Sequence, residues 1–429
     1  MQLATSGGGA EFPYFFQGRL KQPRVTAQAL RGLAKVVGSR FHLPPAMLKR
    51  ILAQRDPVVT SGGGMLRFEG FSACCSAYAR VDLTPDAYDG VVAGQGTTNV
   101  DFNPGLRAAL AQVRDGESIG LAVGREDLTL LRGVEQIVER KVPLPVRWLR
   151  GFVEVQAYQA RMERRMAIGK IETLRFLRSL PRTAVSRSVF WAVPAGSGLR
   201  LSQRETPGGV KIAGIERLKL LEELAPLADG LCVYSDPQGE ASEWQLRLGA
   251  LRFSLTLSAE VWRGFSGEGQ VLGRLAGSTD SKLIANVRGA LQWQAELHLD
   301  EFAVNWGVSP ANILGALSAL GSRGLVGFDL LHAAYFHREL PFDLARVEEL
   351  HPRLLGARKL LEAGGVVVLK RTSRLTEADV PGSGVTHRVR LGADGDRCTC
   401  PWFAKHQGLR GPCKHILAVQ LAKDPEGGL

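Results

Sequence analysis

The chain has 429 residues, 45% of them hydrophobic, with a mean hydropathy of −0.02 and a formal net charge of +12. That length predicts roughly two to four folding units. No apolar run approaches the ~18 residues of a bilayer-crossing helix, which excludes a membrane-spanning role, and the start Met1-Gln2-Leu3-Ala4-Thr5-Ser6 has no basic stretch leading into an apolar one, so a cytoplasmic location is expected.

From Met1 to Arg55 the sequence predicts a loop and two short helices, over Val25 to Val37 and Pro45 to Leu52. Ser61-Gly62-Gly63-Gly64 reads as a flexible joint, and Met65 to Leu83 is rich in strand formers. Asn103 followed by Pro104 is a cap with proline at the first helical position, starting a helix to about Val113. Strands are expected at Ile119 to Val123, Leu128 to Leu131 and Gln136 to Val142.

A second unit of the same style follows, with helices at Thr173 to Ser179 and Ile215 to Leu224. Its strands are expected at Val189 to Val193, Gly198 to Ser202, Leu231 to Tyr234 and Trp244 to Leu257. The shared strand–helix–strand–strand order resembles a duplicated unit of the sliding-clamp type, without a residue-level repeat. Between Ser281 and Leu340 a helix up to about Leu297, a helix over Glu301 to Trp306 capped by Asp300, a third from Ser309-Pro310 to Leu320, and strands at Leu325 to Leu330 and Ala334 to Arg338 give the order of a winged helix. Its candidate recognition helix offers Asn312 and Ser318 but no Lys or Arg until Arg323, so it is poorly equipped for a DNA groove.

The expected fold is therefore α+β and multidomain. It comprises a basic helical segment over 1–60, α+β units over 61–145 and 146–270, a winged-helix-like unit over 271–345, and strands plus a small zinc finger over 346–429.

Six cysteines are too few for a disulfide scaffold, and three fall within sixteen positions near the C-terminus. There the spacing is Cys398-x-Cys400, twelve residues, Cys413-x-His415. Cysteines two apart on a strand point to one face, and Pro412 suits the first turn of a helix that would carry the second pair. Three thiolates and one imidazole complete a tetrahedral zinc shell of the structural kind, with no open position for water. His406 reads as a surface residue, and Cys74, Cys75 and Cys232 as small buried hydrophobes.

These residues resemble the SWIM zinc finger, with Cys-x-Cys and Cys-x-His separated by a variable gap; the resemblance covers about 385–421. It implies zinc binding and a role in contacting DNA or another protein, and supplies no activity.

The charge points to an acidic partner, most simply nucleic acid. Residues 1–55 hold nine Lys/Arg against one acid, 140–187 twelve against three, and 353–423 thirteen against five. The second segment interleaves its cations with Trp148, Phe152, Tyr158 and Phe176. Arg164, Arg165, Arg410 and Lys414 are the candidate contacts to DNA. The alternative is an adaptor that binds a helicase-like ATPase or another DNA enzyme without touching DNA. No phosphate loop, His-Glu-x-x-His or Gly-x-Ser-x-Gly is present, so no enzymatic activity is expected.

Overall fold

The computed structural model describes residues 14–42, 57–182, 188–265, 281–294, 296–340, 352–372, 374–408 and 410–422. It is α+β, and the expected helix over Pro45 to Leu52 lies outside those residues. None of its helices is long and apolar enough to cross a membrane. In chain order the helices are α1 (Pro23–Gly38), α2 (Pro104–Gln112), α3 (Val146–Gln159), α4 (Lys170–Arg178), α5 (Ser281–Trp293), α6 (Leu299–Trp306), α7 (Pro310–Ser322), α8 (Pro352–Glu362), α9 (Pro401–His406) and α10 (Lys414–Ala422).

An eight-stranded antiparallel sheet dominates. Its spatial order is Glu163–Gly169, Gly230–Ser235, Ala241–Leu248, Leu251–Ser258, Ala77–Leu83, Met65–Phe71, Val58–Gly62 and Gly96–Asn99. Residues 251–257 pair with 77–83, so segments 58–99 and 163–258 share one hydrogen-bonded sheet. A five-stranded sheet (Tyr88–Val91, Tyr14–Leu20, Ile119–Gly124, Asp127–Arg132, Glu135–Arg140) and a three-stranded one (Gly198–Ser202, Val189–Ala195, Val210–Ala213) accompany it.

Side chains alternate across a strand, and in the middle of the large sheet both faces are buried. Leu66, Phe68, Val81, Phe253 and Leu255 form one apolar face, against which α1 packs; at Gly70 a Cβ would stand 2.5 Å from the Val37 side chain, so only glycine admits the helix this close. The opposite face carries Arg67, Glu69, Arg80, Asp82 and Arg252, all buried. Buried charges survive only when paired, and here the partners come from the hairpin Val326–Asp329 and Ala334–His337 and from Arg338 just after it. Arg252 meets Asp329, Arg80 donates to the Phe328 carbonyl at 2.8 Å, Arg67 lies 4.1 Å over the Phe336 ring, and Arg338 meets Glu69 at 2.7 Å. All eight strand residues of that hairpin are buried.

Several local expectations hold. The Asn103 side chain accepts from Leu106 N–H at 2.9 Å to cap α2, and Ser309 caps α7 through Asn312 N–H. Others are corrected. Ser61 to Gly64 is a tight hairpin turn rather than a joint, because Gly63 and Gly64 both take positive φ (60° and 73°), the geometry that joins two twisted strands. Trp244 to Leu257 is two strands folded back at Gly249, which also has positive φ. Ile215–Leu221 is a 3-10 segment, and α3 was not foreseen. The aromatics read as interleaved for nucleic acid, Trp148, Phe152, Tyr158 and Phe176, are all buried in the core.

One hydrophobic core runs from Phe16 to Leu340, and a separate small one from Leu354 to Val419. The second holds α8 and α10 against a four-stranded sheet of Val367–Arg371, Leu375–Pro381, Thr386–Gly392 and Arg397–Cys398.

Candidate metal centre

The short strand Arg397–Cys398 pairs with Thr386–Gly392, placing Cys398 opposite Val389. Thr399 N–H continues toward the Arg388 carbonyl at 3.1 Å, and the chain then turns into α9. Cys400 is the cap of that helix, its Sγ accepting from Phe403 N–H at 3.4 Å. The strand thus ends at Cys398, and helix capping rather than strand alternation aims the second thiol. Cys413 begins α10 in the same manner, with its carbonyl accepting from Leu417 N–H at 3.0 Å and its Sγ from Ile416 N–H at 3.5 Å. Pro412 therefore precedes the cap instead of occupying the first helical position. Two helix N-termini face the site, and each favours a thiolate.

Cys398, Cys400, Cys413 and His415 are buried, and their donor atoms all lie within 4.8 Å of one another. The Cys398 and Cys413 sulfurs stand 3.8 and 3.9 Å from His415 Nδ1. Zn–S and Zn–N bonds of about 2.3 and 2.0 Å in a tetrahedron require edges of roughly 3.5–3.8 Å, so the four donors fit zinc. Their protonation points the same way. Hydrogen bonding to Cys398, against burial, draws the Cys413 thiol below its ordinary value, while hydrogen bonding to Cys413 and burial push Cys398 up, and burial raises Cys400. Three thiols this close cannot all ionise without a cation among them. Nδ1 is the His415 nitrogen that faces the Cys398 and Cys413 sulfurs and would hold the zinc, and the His387 ring packs beside it at 4.6 Å.

A second donor group, Glu296, Asp329 and His332, is equally close together. It does not fit a cation, because Arg252, Arg67 and Arg80 already stand within 4.0 Å of Asp329.

A family model described as SWIM zinc finger matches residues 387–424. The C-terminal module is a SWIM zinc finger. The resemblance is confined to that module, and the SWIM ligand set is the buried cluster just described. No curated protein matches the chain. Among solved structures, the chain is similar to Proliferating Cellular Nuclear Antigen from Entamoeba histolytica, with 10% identity, a TM-score of 0.38, and coverage of 57% of this chain and 98% of that one. It is also similar to the PCNA2-PCNA3 complex from Sulfolobus tokodaii, with 10% identity, a TM-score of 0.42, and coverage of 57% and 100%. Likenesses this distant carry no functional weight.

The candidate nucleic-acid residues are divided between the parts built on the two cores. Arg164 and Arg165 are exposed on Glu163–Gly169, an edge strand of the large sheet, where Arg165 pairs with Glu163 at 3.3 Å. Arg410 lies in the loop before Cys413 and Lys414 opens α10 on the SWIM module. Much of the basic charge counted along the chain is internally paired: Lys141 with Glu126, Arg161 with Asp236, Arg388 with Asp379, and Arg390 with Glu377.

Sequence reading missed a cationic and aromatic face on the SWIM module. The Trp402 and His406 rings meet at 4.8 Å on α9, tilted by 55°, the Arg353 guanidinium lies 4.6 Å over Trp402, and Arg410 lies 5.8 Å over the exposed ring of Trp262. Loss of hydration, then Arg410, Lys405, Arg353 and Arg263, hold the His406 imidazole below its ordinary value. The four-residue spacing of Trp402 and His406 was visible in the sequence; the approach of Arg353 and Trp262 from distant segments was not.

Proposed function

We propose that the protein binds nucleic acid through its zinc-held SWIM module, as a binding protein in a DNA transaction rather than as an enzyme. The observation that carries this reading is the face around His406, where Arg353 lies over Trp402, Arg410 lies over Trp262, and Lys405 adds its charge beside the imidazole. Cations meet phosphates and aromatic rings meet bases, so a face that combines both suits a nucleic-acid strand. Lys414 and the exposed Arg397 extend the positive charge around the finger.

In this reading the helix–hairpin unit of α5 to Asp329 and His337 serves packing, since its hairpin is buried against the sheet and α7 lacks cations. Arg164 and Arg165 are secondary contacts at most, one of them already paired. The zinc holds the face in shape and takes no part in chemistry. The test is duplex and single-stranded DNA binding by the full chain over a range of salt, with Arg410→Glu and Lys414→Glu as variants. Absence of binding at the lowest salt overturns the reading in favour of an adaptor.

A further inference from the structure

Among the described residues, helix α4 has a face that nothing covers. Ile171, Leu174, Arg175 and Arg178 recur at helical spacing, and with Lys170 they line a trough of about 350 Å³ whose other wall is Ala225 and Pro226. Ile171 is 59% exposed at its mouth. Four apolar residues and three cations line the trough, and no carboxylate does.

Among the described residues none of Lys170, Arg175 and Arg178 has a carboxylate within 4.0 Å, although Lys, Arg and acid pairs are frequent elsewhere on this surface. Glu172 points to the other side of the helix, toward Gly169 and Gly198, and Glu223 pairs with Lys35. Among the described residues, then, this face carries three cations and no acidic partner for them, so its charge is complementary to an acidic ligand.

We propose that this trough docks an acidic peptide segment of a partner protein, with one apolar side chain filling the cavity and flanking Asp or Glu residues meeting Lys170, Arg175 and Arg178. Lys170 and Arg178 are separated by about 12 Å along the helix, the span of roughly four extended residues. A single small anion cannot engage cations spread that far. Nucleic acid is the weaker match, because no aromatic ring lines the trough to stack a base and a phosphate backbone has nothing to place in an aliphatic cavity. An apolar anchor ringed by complementary charge is the usual economy of peptide recognition.

This site is independent of the SWIM reading. The experiment is selection of a random displayed peptide library on the immobilised full chain, followed by anisotropy titration of the enriched peptides. The expected outcome is enrichment of sequences with a large aliphatic or aromatic residue between Asp and Glu, whose affinity falls about tenfold or more in Ile171→Asp and, separately, in Arg175→Glu. Both side chains are exposed, so the variants should melt with the parent, and binding should survive Cys398→Ala because the trough lies in the first core. No enrichment, enriched peptides without acidic residues, or affinities unmoved by either variant overturn the proposal. Displacement of the peptide by a single-stranded or duplex oligonucleotide, with loss of oligonucleotide binding in Arg175→Glu, assigns the trough to nucleic acid and also overturns it.

Discussion

Arg252 grips Asp329 with both ends of its guanidinium, at 3.1 and 2.7 Å, across the interface between the large sheet and the helix–hairpin unit. Burial alone would raise the Asp329 carboxyl, but Arg80, Arg252 and Arg67 outweigh it and hold the group well below the usual carboxylate range. Asp329→Asn leaves three buried arginines sharing Asp82, and such a loss costs about 3–5 kcal/mol. Chemical denaturation of the variant should show that drop. The double variant with Arg252→Gln should lose less than the two single losses added together, and full additivity would contradict the pairing.

Glu139 behaves in the opposite sense. It is buried, one oxygen accepts from Asn103 Nδ2 at 2.9 Å, and the other has no partner among the described residues. Burial, then Asp101, raises its carboxyl to about 7. Because the folded value lies above the unfolded one, the folded state is penalised as pH rises from about 4.5 to about 7, and the penalty is constant above that. Glu139→Gln keeps an acceptor for Asn103 and removes the penalty. The variant should be more stable than the parent at pH 8, by on the order of 1 kcal/mol, with the advantage vanishing at pH 4. Equal melting at both pH values would refute the assignment.

How much of this was legible beforehand depends on the range of the signal. The ligand set Cys398, Cys400, Cys413 and His415 is local, and spacing alone identified it. Caps such as Asn103 and Ser309 are local too. The turn at Gly63 and Gly64 was misread because three glycines in a row look alike whether they loosen a chain or supply two positive φ angles. Trp148 and Phe152 looked available for stacking since nothing in a sequence says that α3 will be enclosed by strands from both sides of it. The buried arginine face was invisible for the same reason: Arg67 and Arg80 find Asp329 only through contacts about 250 residues apart.

The zinc site makes a domain-specific prediction. Purified protein should carry one zinc per chain, and Cys398→Ala with Cys400→Ala should abolish it. Structural zinc supplies roughly 10–16 kcal/mol in isolated fingers, more than the small core beneath α10 can replace. After chelation, hydrogen exchange should accelerate across residues 374–422 while the core from Phe16 to Leu340 stays protected. Unchanged protection in the tail would show that the metal is dispensable.

A closed shell of three cysteines and one histidine leaves no coordination position for water. Incubation with plasmid or oligonucleotide should therefore give no cleavage that depends on the zinc, so that chelator changes nothing. Zinc-dependent cleavage that disappears in His415→Ala, with the fold intact by circular dichroism, would be the contrary result.

Binding by the SWIM face should be governed by phosphates. If Arg397, Lys405, Arg410 and Lys414 together neutralise about four phosphates, log affinity for duplex DNA should fall against log salt with a slope of roughly −3.6. Arg410→Glu with Lys414→Glu should weaken every sequence alike and flatten the slope by about 2. Reversal of Arg165, which already pairs with Glu163, should change little. The exposed Trp262 adds a second discriminator: where its ring stacks on a base, Trp262→Ala should cost about 1–3 kcal/mol on single strands and less on duplex. Filter binding of the full chain at several salt concentrations measures all four effects. A slope that survives reversal of Arg410 and Lys414 would move the contact surface off the SWIM module, since those two side chains supply half of the cations counted there.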